Sequence, residues 1–278
     1  MRIIENSQEM AQACREACRP LGLVPTMGAL HEGHLTLVRR ARQENQRLAV
    51  SIFVNPTQFS QGEDLSRYPR DLERDLALLR QEGVDLVYAP SSKEIYPPGF
   101  DTWVDPGALA DRLEGAARPG HFRGVATVVT KLFNLVRPDR AYFGQKDGQQ
   151  VLVIQRLVLD LNLGVEVVVV PTVREPDGLA LSTRNSYLTP EQRKAAPVIF
   201  RALSQALVLH RHGMAGGEEL RSVVRRILEL EPLVEQIEYV SLADCGTLEE
   251  LDVIAGRAML SVAVRLGQTR LIDNLILY

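Results

Sequence analysis

The chain holds few of the features that would place it in a specialised class. It has no run of 18 apolar residues, and its opening, MRIIENSQEM, lacks the apolar core of a signal peptide, so a soluble cytoplasmic protein with no membrane partner is expected. It has only three cysteines, Cys14, Cys18 and Cys245, in no zinc pattern. That odd number suits a reducing compartment. Cys14 and Cys18 lie one helical turn apart, and buried packing is their expected role. The net charge of −3 argues against a general nucleic-acid binder. Lysine is scarce: Lys93, Lys131, Lys146 and Lys194 are the only ones among 32 basic residues. A lysine in a polar loop is therefore worth a look. Three signatures are missing as well. There is no G-x-G-x-x-G dinucleotide fingerprint. Gly28 and Gly33 have Walker spacing, but His34-Leu35 stands where that loop needs Lys-Ser/Thr. H-E-G-H at 31–34 is one residue short of a zinc protease's H-E-x-x-H.

The 278 residues are 45% hydrophobic and 24% charged, enough for a sizeable core and two domains. No internal repeat or low-complexity tract breaks them. The first two thirds alternate between strand-like and helix-like segments. Strands are expected at 21–24, 47–54, 85–89, 140–143 and 165–170, the last continuous and β-branched as in a buried parallel strand. Helices are expected at 35–47, at 71–82 with Gly83 as its stop, at 124–136 before Pro138, and from the GQKDGQQ stretch to about 161. This is the pattern of an α/β fold with a Rossmann-like, doubly wound parallel sheet. Near residue 175 it changes. Helices near 190–211 and 218–231, then strands at 237–243, 257–265 and 269–277, predict a smaller C-terminal α+β domain. The expected domains are thus 1–175 and 176–278.

The stretch Pro25-Thr26-Met27-Gly28-Ala29-Leu30-His31-Glu32-Gly33-His34 carries most of the functional information. It reads as a strand end, a glycine-bearing loop and a helix start. Such a loop is expected to gather backbone N–H groups and the positive end of a helix around an anion. Two of the five histidines sit in it, three residues apart, on one face of a first helical turn. A phosphate-bearing substrate is the natural guest.

Ligands of an open parallel sheet bind at the carboxyl ends of its strands. The other loops expected there are Asn55-Pro56-Thr57-Gln58, the run from Gly144 to Gln150, and Pro171-Thr172-Val173-Arg174 leading to Leu181-Ser182-Thr183-Arg184-Asn185. Each alone is ordinary: Asn-Pro and Asp-Gly make turns, and Ser182, Thr183 or Asp147 can cap a helix. Four polar loops on one expected edge favour a site for a polyphosphate and a polar small molecule. His34, Lys146 and Arg184 offer charge or donors, and Gln58 and Gln150 suit hydroxyls and amides. No Cys or activated Ser stands out as a nucleophile. Phosphoryl and nucleotidyl transfer need none.

PTMGALHEGH, FVNPTQF, YPR, GHFRGV, GQKDGQQ and PTVREPDGLALSTRN, in this order and spacing, resemble the pantothenate synthetase family. The likeness is densest over the first two thirds. In that family the H-x-G-H stretch corresponds to the HIGH-type signature of nucleotidyltransferases, and L-S-[ST]-R-N resembles a KMSKS-type loop. The resemblance implies a ligase of pantothenate biosynthesis. ATP and (R)-pantoate would form pantoyl adenylate and pyrophosphate, and β-alanine would displace AMP to give pantothenate. It implies ATP binding by Met27, Gly28, Ala29, Leu30, His31, Glu32, Gly33 and His34, by Gly144, Gln145, Lys146 and Asp147, by Val173, and by Leu181, Ser182, Thr183 and Arg184. His34, Lys146 and Arg184 would be catalytic. Gln58 and Gln150 would hold pantoate, Gln58 would also face β-alanine, and the C-terminal domain would act as a lid. Asp75 lies in a region that carries acidic residues near the ATP-bound Mg2+. A homodimer is implied too. Thr183 stands where the family usually has a second serine; the hydroxyl is kept. A nucleotidyltransferase that releases a dinucleotide-like product, or a nucleotide-sensing module without turnover, are the rival readings.

Overall fold

The apolar runs of the first half become strands of a single sheet. In the computed structural model, which describes residues 1–60 and 62–278, these are β1 (Arg2–Ile4), β2 (Leu21–Thr26), β3 (Arg47–Ile52), β4 (Leu86–Tyr88), β5 (Arg140–Gly144) and β6 (Glu166–Val170). Their order is β1-β4-β3-β2-β5-β6, and every pairing is parallel. The helices of the chain are α1 (Ser7–Arg15), α2 (Glu32–Glu44), α3 (Leu72–Gln81), α4 (Ser92–Ile95), α5 (Glu114–Ala117), α6 (His121–Val136), α7 (Gly148–Asp160), α8 (Pro190–Ala195), α9 (Val198–Arg211) and α10 (Gly217–Glu229). From β2 the chain winds one way through β3 to β4. From β5, on the other side of β2, it winds to β6. The carboxyl ends of β2 and β5 therefore flank the switch point, where an open sheet of this kind binds its ligand.

Two compact units are present: Met1–Gly144 with Gln149–Pro171, and Gln145–Gly148 with Thr172–Tyr278. In the first, Val24, Leu48, Val50 and Val87 of the strands pack with Val38 and Ala41 of α2 and Leu79 of α3. The second has an antiparallel sheet, β7 (Gln236–Asp244), β8 (Ala258–Leu266) and β9 (Thr269–Leu277), in that order. Its core joins Leu203 of α9 and Leu220 and Val224 of α10 to Val240, Leu260 and Val262.

Several expectations differ in detail. The division falls between Pro171 and Thr172 rather than near 175, and the short segment Gln145–Gly148 goes with the second unit. The reason is local: the Asn274 amide on β9 donates to the carbonyls of Gln145 and Lys146, at 2.9 Å each. The β-branched run at 165–170 is an edge strand, and only Val170 of β6 is buried. The helical run at 190–211 is two helices, because Pro197 breaks it between α8 and α9. β1 and α1 went unread. Cys14 is buried in α1, and burial pushes its thiol up to about 11. The helix ends at Arg15, so Cys18 lies beyond it and is exposed. No helix among the described residues is long and apolar enough to cross a membrane.

Candidate functional site

The loop leaving β2 is built differently from the anion nest that its spelling implies. Gly28 and Ala29 both have positive φ, +80° and +50°. The loop's N–H groups point to side chains of the protein itself. Gly28 donates to Thr26 Oγ1 at 3.3 Å, and Ala29 and Leu30 donate to the two carboxylate oxygens of Asp75 at 2.8 Å each. These three N–H groups are thus engaged within the protein.

The two histidines close the start of α2. His31 is the N-cap of α2, and its Nδ1 accepts the Gly33 N–H at 3.1 Å. His34, at the third helical position, takes the His31 N–H on its own Nδ1 at 3.3 Å. This is a capping box made of imidazoles. The rings lie 4.1 Å apart, tilted by 34°. A ring nitrogen that accepts carries no proton, so each ring, when neutral, has its proton on Nε2. Glu32 opens the helix and pairs with Arg39 on the surface.

Gln58 is held against this loop from several sides. It is 9% exposed. Its Nε2 donates to Met27 Sδ at 3.2 Å, a weak acceptor. Its Oε1 accepts from Asn55 Nδ2 at 3.1 Å, and that amide also donates to the Gly124 carbonyl at 3.2 Å. The Tyr96 hydroxyl donates to Asn55 Oδ1 at 2.8 Å. The amide of Asn55 is thereby fixed, and Gln58 turns its NH2 to Met27. Gly124 makes the arrangement possible: a Cβ there would lie 2.5 Å from the Thr57 carbonyl oxygen. Asn55 was read only as part of the polar loop 55–58, where Asn-Pro makes a turn, and Tyr96 carried no sequence signal; both support Gln58.

His121 holds the backbone of Gln58. Its Nδ1 donates to the Gln58 carbonyl at 2.8 Å, and Arg118 donates to the same oxygen at 3.2 Å. Burial, and then the Arg118 charge, lower its pKa from 6.5 to about 4. Between these values the unfolded chain takes up a proton that the folded chain refuses. The stability that neutral His121 contributes is complete above pH 6.5 and is lost as pH falls toward 4, on the order of 3 kcal/mol. His121→Asn, which keeps a donor near the Nδ1 position, should flatten the dependence of unfolding free energy on pH between 4 and 6.5. Denaturant titrations at several pH values check this. An unchanged slope would show that other groups carry it.

A cavity of about 310 Å³ lies beside the loop, lined by Met27, Gly28 and Ala29, by residues that follow β3 and β4, and by Arg70, Asp71 and Asp75 near the start of α3. Asp75, expected near the ATP-bound Mg2+, is 1% exposed and gives both oxygens to the loop. Burial raises its pKa, while the Leu30 and Ala29 N–H groups pull the other way. Among the described residues, no three His, Cys, Asp or Glu side chains are grouped to hold a metal. These residues do not form a protein cage for magnesium.

In the second unit, Lys146, Ser182 and Asn185 line a small cavity of about 10 Å³ together with Asp273. Lys146 Nζ lies 3.3 Å from Asp147 Oδ1. Gln145 Nε2 donates to Asn274 Oδ1 at 2.9 Å. Ser182 caps the turn Thr183–Tyr187 by accepting the Arg184 N–H at 3.3 Å, and the Thr183 carbonyl accepts from Ser186. The Val173 carbonyl accepts the Leu181 N–H. Arg174 is pinned to Asp273 at 2.5 and 2.9 Å and lies over the Phe200 ring. Asn274 had no sequence signal. Back in the first unit, Gly144 ends β5. Gln150 is half-buried, whereas its neighbour Gln149 is buried and ties down the segment at 109–114.

Known proteins resemble the chain along its whole length. A family model described as Pantoate-beta-alanine ligase matches residues 1–276. A protein of Roseiflexus castenholzii named pantothenate synthetase is 60% identical over 277 residues, 100% of this chain and 99% of that one. One of Moorella thermoacetica with the same name is 56% identical, covering 95% and 93%. The crystal structure of pantothenate synthetase from Thermus thermophilus superposes with a TM-score of 0.94 at 51% identity, covering 99% of both chains. The pantoate-beta-alanine ligase of Francisella tularensis, complexed with beta-gamma ATP and beta-alanine, gives 0.81 at 36% identity, covering 99% and 97%.

Proposed function

The chain belongs to the pantoate–β-alanine ligase family, and from that premise we propose that it joins (R)-pantoate to β-alanine through pantoyl adenylate, releasing pyrophosphate and AMP. A carboxylate oxygen of pantoate attacks the α-phosphorus of ATP, and the bond to the bridging oxygen breaks as pyrophosphate leaves. The β-alanine nitrogen then attacks the acyl carbon. The carbon–oxygen bond to the phosphate breaks, AMP departs, and the nitrogen loses a proton. The observation that carries this reading is the imidazole capping box of His31 and His34 on the loop that leaves β2, the same loop whose Met27 takes the Gln58 amide. Charge grows on the α-phosphate and the leaving pyrophosphate, and preorganised donors stabilise it without covalent catalysis. Magnesium, as a partner of ATP, would sit on its phosphates, which suits an ion that keeps most of its water.

In this reading the loop residues 27–34, with Gly144–Asp147, Val173 and 181–184, bind ATP. Gln58 and Gln150 hold pantoate, and Gln58 also faces β-alanine. Lys146 and Arg184 act on the phosphates, and residues 176–278 serve as a lid. A cytoplasmic homodimer completes the proposal.

Gln58→Ala should raise the KM for pantoate ten- to a hundredfold and leave the KM for ATP nearly unchanged, because substrate oxygens then lose a buried partner. Steady-state titration of each substrate decides. A defect confined to ATP would place Gln58 on the other ligand. Formation of an amide product, dependent on all three substrates, separates the ligase from a plain nucleotidyltransferase and from a sensor without turnover.

A further inference from the structure

Asp75 holds a place that no motif assigns to it. It is the fourth residue of α3 and is 1% exposed. One oxygen takes the N–H of Ala29 and the other that of Leu30, each at 2.8 Å. The loop so held has two successive left-handed residues. Ala29 lacks glycine's freedom there, so the conformation needs outside support. Fit is tight as well: a Cβ on residue 28 would come within 3.0 Å of Asp75 Oδ2 and 3.1 Å of Ile52 Cγ2. Leu30 is fully buried, and the next residue, His31, caps α2. The path of residues 28–30 therefore sets where α2 begins, and with it the placement of both imidazoles.

We infer that Asp75 is a positioning residue of the nucleotide site: by holding the N–H groups of Ala29 and Leu30 it fixes the loop that carries His31 and His34, and it is not a ligand of the magnesium that travels with ATP. Each carboxylate oxygen is already committed to one loop N–H, one of them fully buried, and turning either oxygen to a metal would take that support from the loop. The inference rests on the reading that ATP binds at this loop.

Asp75→Asn keeps the size of the side chain but turns an NH2 toward one of the two N–H groups. In a pantoate-dependent pyrophosphate-release assay, kcat should fall about a hundredfold, the scale of a misplaced catalytic group, and the KM for ATP should rise. The magnesium concentration giving half-maximal rate should stay within a factor of two of the parent's. Adding Ala29→Gly to that variant should restore part of kcat, because glycine adopts the left-handed conformation unaided. Hydrogen exchange on the unmodified protein gives a second arm that needs no variant to fold. The Ala29 and Leu30 amides should be protected in the free protein and stay protected with magnesium and ATP. Kinetics of Asp75→Asn equal to the parent's, a tenfold shift in the magnesium requirement, or loss of that protection on adding magnesium and ATP would each overturn the inference. If the parent itself releases no pyrophosphate with pantoate, the functional reading fails instead, and exchange in the free protein still tests the loop.

Discussion

His34→Ala is expected to slow adenylate formation by two to three powers of ten while changing ATP affinity little. The lost group is one preorganised N–H donor, and removing such a donor at a developing charge has an effect of about this size. Alanine also frees the His31 N–H that His34 Nδ1 accepts, so some stability goes with it, about 1 kcal/mol for a lost cap. His34→Asn separates the two effects. Its Oδ1 takes the place of Nδ1 and keeps the capping box, but nothing replaces the Nε2–H. The asparagine variant should therefore melt near the parent's temperature and still lose most of its rate. Stopped-time measurement of pyrophosphate release, beside thermal unfolding of both variants, checks the pair. An asparagine variant with parental turnover would reduce His34 to a helix cap.

Lys146→Ala and Arg184→Ala should split the two half-reactions. The β and γ phosphates that these cations are proposed to clamp leave in the first step, and pantoyl adenylate no longer carries them. Each variant should make adenylate at least a hundredfold more slowly, the scale of losing one charge-stabilising group. Supplied with preformed adenylate and β-alanine, each should keep most of its amide-forming rate. The structure gives Lys146 a partner in Asp147 at 3.3 Å and a cavity shared with Ser182. Substituting Lys146 thus removes a charge without opening a core. Single-turnover rates for each step decide. An equal collapse of both would mean that the cations serve the α-phosphate or the fold.

Much of this was legible in the chain because apolar period and loop chemistry are local. The strand at 47–54 and the helix at 71–82 appear as β3 and α3 with their ends moved by a residue or two. The pairing of His31 with His34 followed from their spacing and is now a tilted ring contact at 4.1 Å. What stayed hidden depends on partners far along the chain. The N–H groups of residues 29 and 30 looked free to bind an anion, and only the fold brings Asp75 to them. Asn274 reaches the carbonyls of Gln145 and Lys146 from far along the chain. Arg2–Ile4 was too short for its period to show, yet it pairs with β4 at the sheet edge. The edge position of β6 was equally invisible, since a run of valines reads the same at the centre or the border of a sheet.

Oxygen bookkeeping in the products tests the central claim most directly. With pantoate labelled by 18O in its carboxylate, attack on the α-phosphorus followed by amine attack on the acyl carbon leaves one labelled oxygen on phosphorus. Mass spectrometry of a complete reaction with ATP and β-alanine should therefore find one 18O in AMP, none in pyrophosphate and one retained in the amide carbonyl. Label in inorganic phosphate with ADP as co-product, or AMP free of label, would contradict an adenylate and the account built on it.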